Sequence, residues 1–384
     1  MSRTDVMVVG LGEMGRMCLE NLVREPTVSK IAAADIAEEQ GTRIVNNALI
    51  GASHFGYFPD VEFHKMDLYE DVSKNAEIIK EVNPRVILSN VAMISPIARR
   101  RLLPPEVVER IHEVTMEGPW FPLQLRLPYH LMQAVKQANI DTFVVNVSYP
   151  DAVGPALKTQ GLAPTVGYGN LQILADNIRQ EVANRENVKI RDVMVFLVSH
   201  HFSVVWVVWN KPDPDKFCPY FLKIFLNARD ITDKYDTDEL LKTSRPGYKQ
   251  LGFSSTAYYS SNAAGGVEDA LALIQNRRAL VHVPAPNGIV GGYPARLGSD
   301  GPEIILPPGI TMEEAQEINL QGQRRDGIED IKDDGTIIFP DGVVEVMTEL
   351  FSFKVKQFKV PEVDLVATEL WQRLEEAAQK RASG

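Results

Sequence analysis

The chain begins with a pattern that few folds can accommodate: an apolar run, a loop with three spaced glycines and a helical stretch. The run covers residues 6–9 and leads into GLGEMG at residues 10–15, after which apolar side chains recur at helical spacing. A second apolar run at residues 31–34 ends on Asp35. Apolar runs on either side of an amphipathic helix predict a strand–helix–strand unit whose two strands lie parallel.

The glycines of this loop are Gly10, Gly12 and Gly15, and Asp35 follows twenty residues after the last of them. In this context Gly10 allows a tight turn, Gly12 lets a pyrophosphate approach the backbone, and Gly15 allows close packing of the helix on the strand. The helix N-terminus offers unpaired N–H groups to the phosphates. Asp35 would accept hydrogen bonds from ribose hydroxyls and repel a 2′-phosphate, which predicts NAD rather than NADP. The alternative to an NAD-binding protein is a protein that has this fold but no longer binds a cofactor. The other residues predicted to contact the cofactor lie in the same loop or at later strand ends: Glu13, Met14, Asn90 and Asn146.

Length and composition limit the class of protein. A chain of 384 residues suits two domains, which we predict at residues 1–150 and 151–384. The net charge of −11 does not suggest the basic surface that nucleic-acid binding requires. The longest apolar run, residues 204–209, is too short to span a bilayer. No secretory leader is recognisable, and two distant cysteines, Cys18 and Cys218, suit a reducing setting, so we expect a cytoplasmic protein.

Strands and helices continue to alternate up to residue 150, apart from one proline-rich interruption. Strands are predicted at residues 61–63, 86–89 and 142–145, and helices at residues 76–82 and 127–137. Residues 91–125 contain five prolines around one predicted helix at residues 106–114. This segment indicates a long excursion at the carboxyl edge of the sheet, where open α/β sheets bind their ligands.

The second half of the chain has a different pattern. Helices are predicted at residues 170–184, 257–275 and 363–378, and strands at residues 193–198, 279–283, 293–297 and 303–306. Thr311, followed by Glu313 and Glu314, predicts a capped helix start. The predicted fold class is therefore α/β: a Rossmann-type, doubly wound parallel sheet followed by an α+β C-terminal domain with a helical extension.

Two histidines at a strand exit are candidates for acid–base catalysis. His200 and His201 follow the strand at residues 193–198, in a chain with only 7 histidines. An enzyme that oxidises an alcohol with nicotinamide needs a base for the hydroxyl proton and a group that fixes the substrate. Asp176 and Arg179 share one face of a predicted helix, so the aspartate could hold an imidazole and the guanidinium could bind a carboxylate. By spacing alone, a salt bridge on the helix surface is the better explanation of this pair.

Several segments, taken in order, resemble the lactate/malate dehydrogenase superfamily, which includes a branch of NAD-dependent glycosidases. Residues 144–151 resemble a strand that ends in asparagine before Pro and Asp, and residues 167–179 resemble a glycine-rich helix entry with an Asp-x-x-Arg pair. Residues 196–206 resemble the strand that delivers a histidine. Residues 252–264 resemble a small-residue helix start, and residues 293–314 resemble the closing strand–helix segment. Together they cover most of residues 5–330, and their order and spacing carry the resemblance.

The resemblance implies hydride exchange between NAD and a 2-hydroxy or 2-oxo carboxylic acid, in an enzyme that forms dimers or tetramers. It implies that Asn146 contacts the nicotinamide ribose and the substrate oxygen. Asp176 would orient the catalytic histidine, and Arg179 would hold the substrate carboxylate.

Strand alternation favours His201 as the acid–base group of that family, and a slip of one residue would select His200 instead. The same resemblance implies that Ser254 or Ser255 lies near the substrate.

The chain departs from that family around the substrate. The histidines lack flanking glycines, and the proline-rich residues 91–125 replace the loop that supplies a mobile arginine in the dehydrogenases. This segment offers Arg99, Arg100 and Arg101, either as a clamp for a phosphate or carboxylate or as solvated side chains. The last fifty residues also exceed the usual dehydrogenase length.

Three functions follow from these observations. The first is an NAD-dependent dehydrogenase for a small carboxylate, with no metal ion, no nucleic acid and no membrane as partner. The second is an NAD- and metal-dependent glycosidase, which the missing cysteine near residues 167–170 disfavours because that branch binds its metal through cysteine and histidine. The third is a protein that binds NAD without turnover.

Overall fold

A computed structural model of the protein describes residues 3–203, 218–244 and 259–383. Its first eight α-helices are α1 (Glu13–Leu22), α2 (Glu38–Ser53), α3 (Val72–Val82), α4 (Pro96–Leu102), α5 (Pro105–His112), α6 (Phe121–Ala138), α7 (Pro150–Lys158) and α8 (Asn170–Glu186). Later helices cover Thr237–Thr243, Tyr259–Ile274, Met312–Arg325, Asp341–Phe351 and Val363–Ser383. The strands are β1 (Thr4–Val9), β2 (Lys30–Asp35), β3 (Asp60–Lys65), β4 (Pro84–Ser89), β5 (Phe143–Asn146), β6 (Val166–Gly167), β7 (Val193–Val198), β8 (Phe221–Leu226), β9 (Arg229–Asp230), β10 (Ala279–Pro284), β11 (Gly292–Gly298), β12 (Gly301–Ile304), β13 (Asp330–Ile331), β14 (Thr336–Ile338) and β15 (Gln357–Lys359).

The first six strands form one sheet in the order β3-β2-β1-β4-β5-β6, and every neighbouring pair is parallel. Strand β1 lies between β2 and β4, so the direction of winding reverses at its carboxyl end, which is where such sheets bind ligands. Its side chains are buried on both faces because helices cover both sides of the sheet. The predicted doubly wound Rossmann sheet is confirmed.

Each face of this sheet has its own hydrophobic core. One core contains apolar residues of α1, α2 and the helix Tyr259–Ile274, which packs closely on α1. The other contains residues of α3, α6 and the C-terminal helix Val363–Ser383. The two halves of the chain therefore share both cores, and burying apolar side chains from both halves holds them together.

The second half of the chain has the predicted α+β character. Helix α8 packs on the antiparallel sheet β7-β8-β9, and β10-β11-β12 and β13-β14-β15 form two further antiparallel sheets. The helix Met312–Arg325 begins at Thr311, whose hydroxyl accepts from the Glu314 N–H, as its sequence predicts. None of the helices in the described ranges combines the length and apolar character needed to cross a membrane.

Two parts of the fold differ in detail from the sequence-based expectation. Residues 91–125 contain the helices α4 and α5 and the start of α6, where one helix was predicted, because Pro104 and Pro105 interrupt the helical backbone. The C-terminal extension contains the sheet β13-β14-β15 as well as helices, and its Leu370 lies in the same core as Leu131 of α6.

The glycine loop joins β1 to α1 as its spacing predicts. Gly10 has φ +86°, and a Cβ there would lie 2.8 Å from the Asn90 carbonyl oxygen. A Cβ at Gly15 would lie 1.8 Å from the Gly10 carbonyl oxygen, whereas a Cβ at Gly12 would meet no atom within 4 Å. Gly10 and Gly15 are therefore required by packing, and Gly12 faces open space.

This difference predicts losses of stability that differ in size at the two positions. Gly15→Ala should lower the free energy of unfolding by about 3 kcal/mol or more, because the new methyl group meets rigid backbone. The matched variant Gly12→Ala should lose about 1 kcal/mol or less, from a weaker N-cap. Urea unfolding followed by circular dichroism measures both, and equal losses would contradict the packing of α1 on the Gly10 turn.

Candidate active site

A cavity of about 640 Å3 opens at the carboxyl edge of the parallel sheet. Its wall runs from Gly12, Glu13 and Met14 of the glycine loop to His201 at the exit of β7. One cavity therefore joins the predicted nucleotide loop to His201, the histidine that strand alternation favours as the acid–base group.

The nucleotide end of the cavity has the features that a dinucleotide needs. Helix α1 begins at Glu13 beside the open position of Gly12, so its first N–H groups face space that a phosphate could fill. Asp35 ends β2, and its carboxylate accepts hydrogen bonds from the N–H groups of Leu11 (2.6 Å) and Ala37 (2.9 Å). These bonds hold a negative charge at the position where a ribose would bind.

The two predicted asparagines have different surroundings. Asn90 lines the cavity, and its Oδ1 accepts a hydrogen bond from the Tyr168 hydroxyl. Asn146 is buried and is not among the cavity-lining residues; its amide bonds to the Ser148 backbone and the Ser89 hydroxyl. In the structure Asn146 therefore shapes the turn after β5 and does not present its amide to the cavity, in contrast to the predicted contact with ribose and substrate.

His201 lies between two buried carboxylates. Its Nδ1 is 3.4 Å from Asp151 Oδ2 of α7, and its Nε2 is 3.1 Å from Asp326 Oδ2, just after the helix Met312–Arg325. The His201 N–H also donates to Asp151 Oδ1 at 3.2 Å. Nε2 therefore contacts Asp326, whereas Nδ1 lies within ion-pair distance of Asp151 without a hydrogen bond to it.

These carboxylates keep a proton on His201. Burial alone would lower the pKa of His201, but Asp326 and Asp151 raise this pKa well above its usual value. Burial opposes the charge of Asp151, yet the neighbouring histidines lower the pKa of its carboxyl below the usual value. The cluster therefore holds an imidazolium between two carboxylates near neutral pH.

His200 has the opposite environment. Burial lowers its pKa to about 4, and its Nδ1 accepts a hydrogen bond from the Phe202 N–H at 3.2 Å. Because Nδ1 is an acceptor, the neutral ring carries its proton on Nε2. His200 is therefore a neutral neighbour of the charged His201, whose ring centroid lies 4.7 Å away.

Asp151, His200 and His201 could hold a metal ion by residue type and proximity, since their ligand atoms lie within 4.8 Å of one another. A coordinating histidine usually donates its second ring N–H to an acceptor. The second nitrogen of His200 instead accepts from a backbone N–H, which leaves the proton on the nitrogen that would bind the metal. Asp151 Oδ2, His200 Nε2 and His201 Nδ1 are nevertheless buried without a hydrogen-bond partner among the described residues, so the cluster is a candidate for holding either a cation or a proton.

Asp176 and Arg179 form an ion pair with each other at 3.0 Å on the half-exposed surface of α8. Arg179 Nε also donates to the carbonyl oxygen of Val193, at the start of β7, whereas the histidines follow the end of that strand. The length of β7, roughly 17 Å at 3.3 Å per residue, separates the two places. The structure thus differs from the predicted arrangement: Asp151 and Asp326 hold His201 instead of Asp176, and Arg179 lies outside the cavity wall.

The arginines of α4 reach the cavity. Arg100 and Arg101 line it, and Arg99 is buried against the Trp120 ring at 4.6 Å. Glu117 lies 2.9 Å from Arg99 and 3.0 Å from Arg100. Burial opposes the charge of Glu117, but the two guanidinium groups lower the pKa of its carboxyl. Arg99 therefore has a structural ion pair, while Arg100 and Arg101 bring positive charge to the wall.

Sequence reasoning missed the closest partners of His201. Asp151 belongs to the segment that carries the family resemblance, and its place after the β5 strand could have been noted. Asp326 gave no local signal, because its contact with His201 spans 125 residues and depends on how the C-terminal segment folds back. Tyr149 was also missed, although a bulky residue before Pro150 indicates a turn. Ser254, Ser255 and residues 204–209 lie outside the described residues.

Comparison with known proteins supports this architecture. No family model and no curated protein matches the sequence. The structure is similar to Cryptosporidium parvum lactate dehydrogenase complexed with lactic acid and nicotinamide adenine dinucleotide, with a TM-score of 0.59, 15% identity, and 96% of this chain and 98% of that chain covered. It is also similar to malate dehydrogenase from Picrophilus torridus (TM-score 0.58, 18% identity, covering 85% and 96%) and to malate dehydrogenase from Plasmodium falciparum in complex with NADH (0.54, 12%, covering 97% and 99%). The chain therefore has the fold of the lactate and malate dehydrogenases.

The environment of His200 predicts a pH dependence of stability. Because its pKa is about 4 in the folded protein and 6.5 without these surroundings, unfolding takes up a proton in this range. The contribution of His200 is fully present above pH 6.5 and is lost as the pH falls, by up to about 3 kcal/mol at pH 4. His200→Asn retains an acceptor for the Phe202 N–H and should show a shallower loss of stability over this range. Urea unfolding at several pH values measures the slope, with the exposed His54→Asn as control; an unchanged slope in His200→Asn would contradict the assignment.

Proposed function

We propose that this protein is an NAD-dependent oxidoreductase that exchanges hydride with a 2-oxo or 2-hydroxy carboxylic acid. The observation that carries the proposal is the single cavity that runs from the open face of Gly12 to His201. A dinucleotide bound along the glycine loop would direct its nicotinamide end toward this histidine.

The residues of the glycine loop fit NAD. Gly12 leaves the space that a pyrophosphate needs, and α1 directs its N-terminus toward it. The carboxylate of Asp35 accepts from backbone N–H groups and has further lone pairs for ribose hydroxyls. When bound, NAD supplies the nicotinamide carbon that accepts or donates the hydride.

The proton that accompanies the hydride would be held by His201. A carbonyl that receives a hydride must also receive a proton, and the imidazolium between Asp151 and Asp326 is a store for it. In the opposite direction, the same ring would take up the proton lost by the hydroxyl. His200 has no such role in the proposal, because its environment keeps it neutral.

The substrate carboxylate would bind to the arginines of α4. Arg100 and Arg101 lie in the wall of the cavity that holds His201, whereas Arg179 does not. The wall beside them is apolar and includes Met93, Ile94 and Ile97. The cavity would therefore suit a substrate whose carboxylate binds to Arg100 and Arg101 and whose apolar side chain packs on this wall.

A screen of 2-oxo acids of increasing size tests the function. Wild-type protein should oxidise NADH with at least one of them, and EDTA should leave the rate unchanged. Arg101→Ala should raise KM about 10- to 100-fold, because a charge-assisted contact with the carboxylate is lost. Arg179→Ala, on the surface of α8, serves as the matched arginine control and should retain the wild-type KM. The absence of turnover with every acid, or loss of activity in EDTA, would contradict the proposal.

Cofactor choice should depend on Asp35. Asp35→Asn retains an oxygen acceptor for the backbone N–H groups and removes the charge that repels a 2′-phosphate. We expect the ratio of the NADPH to NADH dissociation constants to fall at least about 10-fold, equivalent to about 1.4 kcal/mol. Fluorescence titration measures both constants, and Gly12→Ala, which fills the phosphate space, should weaken binding of both cofactors. An unchanged ratio in Asp35→Asn would remove Asp35 from the ribose site.

A further inference from the structure

The side chain of Tyr149 combines three features that the proposed reaction does not yet use. It lies in the cavity wall, its hydroxyl donates a hydrogen bond to Asp326 Oδ2, and its ring packs edge-on against His201 with centroids 4.9 Å apart. Its other edge contact is with Phe121, at 5.6 Å. The ring is therefore fixed on two sides, and its hydroxyl contacts the Asp326 carboxylate that lies beside His201.

The backbone of Tyr149 is in an unusual conformation. Its φ is +33° and its ψ is +58°, just before Pro150 begins α7. A bulky residue in the left-handed region is strained, and such residues persist where surrounding contacts enforce them. The contacts with Phe121, His201 and Asp326 enforce this one, so the fold holds the hydroxyl in place against a local cost.

His201 lines the cavity, but its Nε2 atom already contacts a carboxylate. Its two ring nitrogens lie 3.4 Å and 3.1 Å from carboxylate oxygens of Asp151 and Asp326. Direct transfer from Nε2 to a substrate oxygen would require its contact with Asp326 to break. The Tyr149 hydroxyl shares Asp326 Oδ2 with His201 Nε2, and Tyr149 lines the cavity.

We propose that the Tyr149 hydroxyl is the catalytic group that passes the proton between His201 and the substrate oxygen, through Asp326. This inference rests on the proposed function, and it assigns Asp326 as the positioning residue of the relay. During reduction, the hydroxyl hydrogen of Tyr149 moves to the carbonyl oxygen that receives the hydride. Tyr149 regains a hydrogen from Asp326 Oδ2, which takes the Nε2 proton of His201. One proton leaves the imidazolium and one O–H bond forms on the product, so charge and atoms balance; oxidation reverses each transfer.

Charged groups surround this relay from every neighbouring element. Asp151 approaches from α7, Asp326 from the segment after Met312–Arg325, and His200 from the exit of β7. Glu117, whose N–H donates to Asp326 Oδ1 at 3.1 Å, is neutralised by its arginine partners. The acidic neighbours favour a proton on His201, and burial raises the pKa of Tyr149 well above 10, so Tyr149 keeps its hydroxyl hydrogen until a substrate oxygen accepts it.

The test is removal of one oxygen atom. Tyr149→Phe retains the ring that packs on Phe121 and His201, and it should lower kcat at least 100-fold while KM and the NADH dissociation constant change less than about 3-fold. Tyr235→Phe is the matched control, because it also removes a partly buried hydroxyl that donates to a carboxylate, that of Glu186, and neither residue lines the cavity. Retention of the wild-type kcat in Tyr149→Phe would overturn the proposal.

A second measurement tests the relay without turnover. In cofactor-free protein with 15N-labelled histidine, the His201 titration should move to higher pH by roughly half a unit or more in Tyr149→Phe. The reason is that the Asp326 carboxylate then loses a hydrogen-bond donor, so its negative charge stabilises the protonated His201 ring more strongly. Asp326→Asn should move the titration to lower pH. If His201 titrates identically in wild-type protein and Tyr149→Phe, the relay is wrong; if both shifts occur but no 2-oxo acid is reduced, the substrate assignment fails and the relay stands.

Discussion

The contacts of Asp326 connect the two halves of the site. Its carboxylate accepts from the Tyr149 hydroxyl and the Glu117 N–H and lies beside the His201 ring. Its backbone carbonyl oxygen accepts from the Thr115 hydroxyl (2.7 Å) and the Gly118 N–H (2.8 Å). One fully buried residue of the C-terminal half therefore fixes the end of the proline-rich segment and the charge of the histidine together.

The buried cluster of Asp151, His201 and Asp326 is stable only because the positive imidazolium lies between the two negative carboxylates. Burying an unpaired carboxylate is costly, and the cost is offset where each charge has an opposite partner and its remaining lone pairs have donors. His201 lies between Asp151 and Asp326, and Glu117 lies against Arg99 and Arg100. The Glu117 N–H donates to Asp326 and so joins the histidine group to the arginine group. Loss of one group would leave the net charge of the other uncompensated. The site and the surrounding fold thus depend on the same interactions.

The parts of this structure that follow local rules could be predicted from the sequence. Gly10, Gly12 and Asp35 lie within one strand–helix–strand unit, so their spacing alone was enough to place them, and Thr311 acts on a helix only three residues away. The charged partners of His201 could not be found in this way, since Asp326 is distant along the chain. The family resemblance assigned that role to Asp176, but the geometry of α8 directs this side chain to Arg179 and Gln172. Short-range patterns therefore predicted the glycine loop and the position of Asp35, and tertiary packing determined the surroundings of His201.

The segment before α6 gives the cavity a fixed wall. In the dehydrogenases that this chain resembles, the corresponding loop is mobile and brings an arginine to the substrate. Here α4 carries Arg100 and Arg101, and the adjoining Gly118 turn packs so closely on Asp326 and Gly327 that a Cβ at Gly118 would lie 2.5 Å from the Asp326 carbonyl oxygen. In the proposed reaction, a wall anchored to the residue that contacts His201 would couple substrate binding to proton transfer through Asp326. Asp326 and Gly327 also precede the C-terminal segment whose Leu370 lies in the same core as Leu131 of α6, so that packing holds this contact in place.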